Sequence, residues 1–347
     1  MDPVEALERI VYLMDRDLQP AQKVRAFNNA ADVIRAMDPD EVVTLVKTGR
    51  ITELDGIGAS TGGVINEAVQ GKVPARLTKL EAETVIDVGE GAALRAALKG
   101  DCHSHSLWSD GGAPIDTMAR TARSLGHEYL VLTDHSPRLT IAHGLSPERL
   151  VQQLDEVDGL NTTYAEEAEA GDAEPFQILT GMEVDILEDG SLDMSEEMLE
   201  RLDVVVASVH SKLSMEKTYM TQRMVMAVAS PHVDILGHCT GRKVVGKGRK
   251  QSTFDAEIVF AACAQFETAV EINCRPERQD PPEELLALAL EWDCWISIDT
   301  DAHAPGQLEW QAYGCDKAAK MGIEPEQVIN TWSAAELTDW ADSHPTS

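Results

Sequence analysis

The sequence predicts an α/β barrel preceded by a small all-helical domain, and three observations carry that prediction. From Gly100 onward, short β-rich runs alternate with helix-length segments, the pattern of a parallel sheet covered by helices. Seven such strand-plus-helix units suggest a sheet closed on itself. Residues 1 to about 85, by contrast, hold no such run, and their apolar residues recur at three- and four-residue spacing, as in amphipathic helices.

Taken in order, the helical part reads as VEALERIVYLMDRDL, AQKVRAFNNAADVIRAM, PDEVVTLVKTGR and TGGVINEAVQGK. Between the last two lies ITELDGIGAST, where Gly56 and Gly58 allow a tight turn between helices. The backbone amides that open the next helix could receive a phosphate, or the glycines could serve geometry alone. The stretch KVPARLTKLEAETVIDVGEGAALRAALKG reads as a linker and then a helix. A first strand is expected near Leu98 to Cys102, followed by EYLVLT, FQILTG, VVVASV, VDILG, AVEIN and WISIDT. These limits give a helical domain over residues 1–88, a barrel over 96–335 and a peripheral tail over 336–347.

Composition narrows the function. A chain of 347 residues with 43% hydrophobic and 26% charged residues is ordinary for a globular protein with a sizeable core. No secretory signal opens the sequence and no apolar run is long enough to cross a bilayer, so a cytoplasmic protein without membrane contact is expected. The six cysteines form no CxxC pair and sit in or beside apolar stretches, which suits reduced, buried thiols. Sixty acidic against 29 basic side chains give a formal net charge of −31, which argues against a general nucleic-acid coating protein. The excess is uneven, because residues 1–80 carry 12 acidic and 10 basic side chains.

Chemistry collects where the strands end. His103, His105 and Asp110 follow the first; Asp134 and His135 the second; Glu183 the third; His210 the fourth; His238 the fifth; and Asp301 and His303 the seventh. The sixth ends in Asn273. In an α/β barrel the C-terminal ends of the strands converge on one face, so these residues would share a pocket. Singly, His210 or His238 reads as a buried, hydrogen-bonded histidine and Glu183 as a helix cap. Jointly, nine of these side chains, all but Asp134, exceed what one ion can use and suit two or three Zn, Mn or Fe ions. Such a cluster polarises a phosphoryl oxygen and makes water nucleophilic near neutral pH. His127 and His232 are expected to serve structure, and His143, in a loop able to reach the pocket, is a substrate-contact candidate.

From Gly100 to about Trp332 the chain resembles the polymerase and histidinol phosphatase (PHP) superfamily, through CHSHSLWSDG, LVLTDHSPRL, GLSPERL, GMEVDILEDGSLD, VVVASVHS, HVDILGHCTGR, EINCRPERQD and ISIDTDAH. The likeness is strongest to the PHP domain carried by bacterial family X DNA polymerases. It implies a distorted barrel of seven strands, a (β/α)7 barrel, with three divalent ions. One would be held by His103, His105, Glu183 and Asp301, a second by the bridging Glu183 with His210 and His238, and a third by Asp110, His135 and His303. Glu183, Asp301 and His303 carry the expected catalytic roles, and Arg242, Lys212 and Arg278 are the expected contacts to substrate phosphate. Cys239 stands where the family often has proline.

The first 85 residues resemble the helix-hairpin-helix domain of the same polymerases, with Asp55 for a common proline and Ala59 for a frequent lysine. Both changes disfavour phosphate binding. No room for a nucleotidyltransferase domain exists between residues 85 and 98, so polymerisation is not expected. The expected activity is metal-dependent hydrolysis of a phosphate ester, with nucleotides or DNA 3′ ends, in a 3′–5′ exonuclease manner, as the substrate. A small phosphomonoester such as histidinol phosphate is the alternative that the acidic charge favours, and a non-catalytic, metal-stabilised scaffold is a third.

Overall fold

The computed structural model describes residues 1–344, in two compact units. One holds Met1–Ile86 with Ala304–Gln307, the other Asp87–His303 with the chain from Leu308 onward.

The first unit is helical: α1 (Pro3–Arg16), α2 (Ala21–Arg35), α3 (Pro39–Lys47), α4 (Ala59–Val69) and α5 (Ala75–Glu83). Helix α1 starts where it does because Asp2 accepts hydrogen bonds from the Val4 and Glu5 amides and Pro3 loses nothing at the first helical position. Ala6, Leu7, Ile10, Leu13 and Met14 then form one buried stripe. Asp38 and Pro39 repeat the same start in α3. The turn into α4 needs Gly56, whose φ of 87° a residue with a side chain reaches only under strain, and the Gly58 amide donates to Thr61 Oγ1. The stretch read as a linker is in part core: Leu77 and Leu80 of α5 pack into the cluster built by α1 and α2. The linker reading missed it because three charged residues, Arg76, Lys79 and Glu81, mask a short apolar face.

The second unit is a (β/α)7 barrel. Its elements run α6 (Ala92–Ala97), β1 (Gly100–Asp101), α7 (Ile115–Ser124), β2 (Tyr129–Leu132), α8 (Pro147–Ala170), β3 (Gln177–Asp185), α9 (Glu196–Leu199) and β4 (Val204–Ser208). They continue with α10 (Lys217–Val228), β5 (Ile235–Leu236), α11 (Ala256–Phe266), β6 (Ala269–Asn273), α12 (Glu283–Glu291), β7 (Ile296–Asp299), α13 (Gln311–Lys320) and α14 (Ala334–Ala341). The seven strands pair in chain order, all parallel. Strand β3 is the long one: Gln177–Thr180 pair with β2, while Gly181–Asp185 pair with β4. Glu183 therefore lies within a strand rather than beyond its end.

The seam between β1 and β7 is sewn by side chains. Among the described residues only Ser104 and Ala302 form a bridge across it. Buried backbone groups left without a strand partner still need one. Gln311 Nε2 donates to the carbonyls of Gly100 and Ile298, Asn330 Oδ1 accepts from the Ile298 amide, and Asp299 Oδ1 accepts from the Cys102 amide. Helix α14, which falls mostly in the segment set apart as a tail, begins with a capping box between Ser333 and Glu336. Its Leu337 is fully buried, and Trp340 meets Trp332 edge-on at 5.5 Å, so the segment is part of the barrel's core rather than peripheral. Residues 345–347 of that tail lie outside the described residues. All six cysteines are free and buried, and no helix among the described residues is long and apolar enough to cross a membrane.

Candidate metal centre

Strand alternation aims the site. Asp101, His103 and His105 lie at every second residue of an extended segment, and so do Glu271 with Asn273 and Asp299 with Asp301. The strand order then gathers them at the C-terminal mouth of the barrel.

Glu183 is the hub, with 1% of its surface exposed. Its Oε1 lies 2.8 Å from His238 Nε2 and 3.1 Å from His210 Nε2. Its Oε2 lies 2.9 Å from His135 Nδ1, 3.4 Å from His103 Nε2 and 3.6 Å from His105 Nε2. Asp301 Oδ1 stands 3.4 Å from His105 Nε2, and Asp110 Oδ1 stands 3.3 Å from His303 Nε2 and 3.5 Å from His135 Nε2. Three overlapping groups result, each with donor atoms within 4.8 Å of one another: His105, Asp110, His135 and His303; His103, His105 and Asp301; His135, Glu183 and His210. His238 and Asp301 hold their places at positive φ, 22° and 51°, a conformation disfavoured for non-glycine residues that marks backbone constrained by the site.

Residues behind the cluster orient it. His103 Nδ1 donates to Glu271 Oε1 over 2.6 Å, which leaves Nε2 bare toward Glu183. The other Glu271 oxygen accepts from the His238 amide. His210 Nδ1 faces Asp185 Oδ1 at 3.3 Å. His303 Nδ1 lies 2.9 Å from both the Asp301 carbonyl and Arg275 Nη1, and its Nε2 is turned to Asp110. Asp134 accepts from the Ser106 amide and hydroxyl, the Ser109 hydroxyl and Gln153 Nε2, and thereby fixes the loop that carries Asp110.

Electrostatics reflect this crowding. Burial pushes the Glu183 carboxyl up, yet His210, His103 and His135 outweigh it and hold it well below the usual range. For Asp301 the same contest is won by Arg275 and Arg278. Burial and the neighbouring His303 and His135 hold His105 far below an ordinary imidazole. A divalent ion fits this chemistry: His103 Nε2, His105 Nε2 and His210 Nε2 are buried without a hydrogen-bond partner, a costly state for polar atoms that ligation removes.

Other expected residues have separate fates. Arg278 lies against the cluster, its Nε 3.2 Å from Asp301 Oδ2. Arg242 does not reach the cluster: its guanidinium donates to the carbonyls of Arg278 and Gln279 and so braces the loop that carries Arg278. Lys212 is exposed beside Glu188 at 3.9 Å, and His143 is exposed on the loop after β2. His127 is buried against Arg95, and burial, reinforced by the Arg95 charge, pushes its imidazole down to about 3. Sequence reasoning missed Arg275, whose Nη1 donates to the Asp301 carbonyl, and Glu271; the latter was signalled as the period-2 companion of Asn273, whose Nδ2 donates to Asp301 Oδ2.

Residues 101–257 match the family model described as the PHP domain. Over 257 residues the chain is 37% identical to the DNA polymerase/3′-5′ exonuclease PolX of Bacillus subtilis (strain 168), an alignment covering 74% of this chain and 43% of that one. The chain thus spans less than half the length of that relative. A probable phosphatase of Thermoanaerobacter sp. (strain X514) is 28% identical over 244 residues, covering 67% of this chain and 89% of that protein. Among solved structures, the histidinol phosphate phosphatase of Lactococcus lactis subsp. lactis, complexed with zinc, L-histidinol and phosphate, is similar with a TM-score of 0.44 and 19% identity, over 65% of this chain and 94% of that one.

Proposed function

The chain carries a PHP domain, and from that premise we propose that it is a metal-dependent phosphoesterase acting on nucleotides or DNA 3′ ends. The observation that carries the reading is Glu183, whose two carboxylate oxygens face different imidazole sets inside a cluster of bare, buried nitrogens. In this reading His103, His105, Glu183 and Asp301 hold one ion, Glu183, His210 and His238 a second, and Asp110, His135 and His303 a third. The bound ions, of Zn, Mn or Fe, supply Lewis acidity and a nucleophile from water.

The chain's own residues supply orientation and charge. Glu271 and Asp185 keep Nε2 of His103 and His210 turned inward, and the Asp301 carbonyl and Arg275 flank Nδ1 of His303. Arg278 has a buried Nη1 without a hydrogen-bond partner, ready to donate to a phosphoryl oxygen. Arg275, paired with Glu277, keeps Asp301 ionised. The 37% identity to a 3′-5′ exonuclease supports the nucleic-acid substrate. A small phosphomonoester is the second reading, supported by the net charge of −31 and by the probable phosphatase that the chain covers over 89% of its length.

The deciding experiment supplies Zn, Mn or Fe to the protein and offers a panel of phosphomonoesters, nucleotides and DNA with a free 3′ end. Release of mononucleotides from DNA at higher kcat/KM than phosphate from the monoesters is expected. Failure to hydrolyse any ester with any of the three metals overturns the phosphoesterase reading.

A further inference from the structure

The segment GRKVVGKGRK, residues 241–250, contradicts the rest of the chain. It holds five cations, Arg242, Lys243, Lys247, Arg249 and Lys250, and no acid, in a protein of net charge −31. Three residues after His238 it folds back on itself, with Lys243 and Arg249 exchanging antiparallel backbone hydrogen bonds and Arg249 Nε donating to the Gly241 carbonyl. The hairpin is therefore preformed and stands on the barrel face where the cluster lies.

It is also pinned beside the cluster. The Val244 amide donates to the Glu277 carbonyl over 2.7 Å, and the same loop carries Arg275 and Arg278, both in contact with Asp301. Burial lowers Lys243, and Arg278 and Arg249 lower it further; burial and Arg278 do the same to Arg249. Glu277 and Asp280 oppose these shifts without cancelling them, and cations crowded in this way make a local positive field that anions relieve. Between them Val244 and Val245 are 48% and 59% exposed, apolar contacts of the kind a sugar or base can cover.

We propose that the 241–250 hairpin is a second anion subsite, which takes phosphates flanking the one held at the cluster, so that the preferred substrate is a strand of linked phosphates such as an oligonucleotide. The inference rests on the phosphoesterase reading for the cluster and extends it: five cations are gathered in one hairpin of a barrel whose other charged residues are mostly acidic. A substrate with one phosphate gains nothing from Lys243, Lys247 or Lys250, whereas each flanking phosphate of a single strand adds a contact with its own salt dependence.

The test compares the full chain with its Lys243→Ala/Lys247→Ala/Lys250→Ala variant, reading the anisotropy of a fluorescein-labelled oligothymidylate across salt concentrations. The wild type is expected to bind, and the variant to lose about ten-fold or more in affinity, with the slope of log K against log salt reduced by about 2. Hydrolysis of p-nitrophenyl phosphate by the metal-loaded variant stays at the wild-type rate. Inorganic polyphosphate that competes as well as the oligonucleotide assigns the subsite to linked phosphates alone; weak competition assigns it to the nucleic-acid strand. Equal affinity and slope in both proteins, or no binding by the wild type, overturns the inference. A protein that binds the strand but hydrolyses no ester overturns the phosphoesterase reading and leaves the hairpin's role standing.

Discussion

The two units bury different kinds of atom. Within Met1–Ile86 the buried polar side chains are Thr61 and Thr84, each a hydroxyl that bonds to nearby backbone, and the rest of the core is aliphatic with Phe27. The barrel buries Asp101, His103, His105, Asp134, His135, Glu183, Asp185, His238, Glu271, Asp280, Asp299 and Asp301. Apolar burial stabilises by area, while buried ionisable groups cost several kcal/mol each unless fully partnered. The helical unit is thus organised by packing, and the barrel bears an expense that packing does not require. That expense locates the chemistry more sharply than any one motif.

Removing the hub should break the contrast most completely. Glu183→Gln keeps the size of the side chain but not the charge shared by five imidazoles, so turnover should fall to background and metal content should drop, both measurable by ester hydrolysis and elemental analysis. Tryptophan fluorescence checks that the variant folds, since all six tryptophans lie beyond residue 107, in the barrel unit. An active Glu183→Gln protein would mean that the buried cluster is structural.

The same fluorescence signal reads a second difference. Zn or Mn at about 100 times its dissociation constant should stabilise the barrel by about 2.7 kcal/mol, and a chelator should reverse the shift. An unchanged melting temperature at saturating metal would contradict ligation by the cluster.

Asp15 sharpens the comparison from the helical side, because there burial alone pushes a carboxyl up to about 6. A folded-state value above the unfolded one means that the group's contribution is full below about 3.8 and is lost as pH rises through about 6. Asp15→Asn should therefore stabilise the helical unit at pH 7 by on the order of 1 kcal/mol and do nothing at pH 3, as far-UV circular dichroism melts would record.

His127 gives the smallest effect, with the opposite sign. Burial and Arg95 hold it at about 3, so its contribution is full above about 6.5 and is lost as pH falls toward 3. His127→Gln should flatten the acid side of the barrel's stability profile by about 1 kcal/mol or less, provided the new amide keeps a partner in place of Arg95. A steeper acid limb in the variant would assign the acid sensitivity elsewhere.

Much of the barrel was legible because strand runs and ligand types coincide: LVLT before Asp134 and His135, VVVAS before His210, ISIDT before Asp301. The seven-stranded order followed from that alternation. What stayed hidden depends on tertiary partners. Arg242 and Arg278 look alike in sequence, and only the carbonyls of Arg278 and Gln279 around the first guanidinium separate bracing from contact. Gln311 and Asn330 carry no motif, yet they complete the β1–β7 seam. Glu271 and Asp185 were within reach of a stricter period-2 reading, as inward companions of Asn273 and Glu183.

The seam also sets an order in time. Asn330 donates to the Gly100 carbonyl across 230 residues of chain, and to Asp299, two positions before Asp301. During synthesis His103 and His105 leave the ribosome long before the amide that secures the strand beneath them. The two histidines therefore meet the Asp301 carboxylate in a fixed frame only once the last third of the barrel has been made, and a metal site built from them is complete only then.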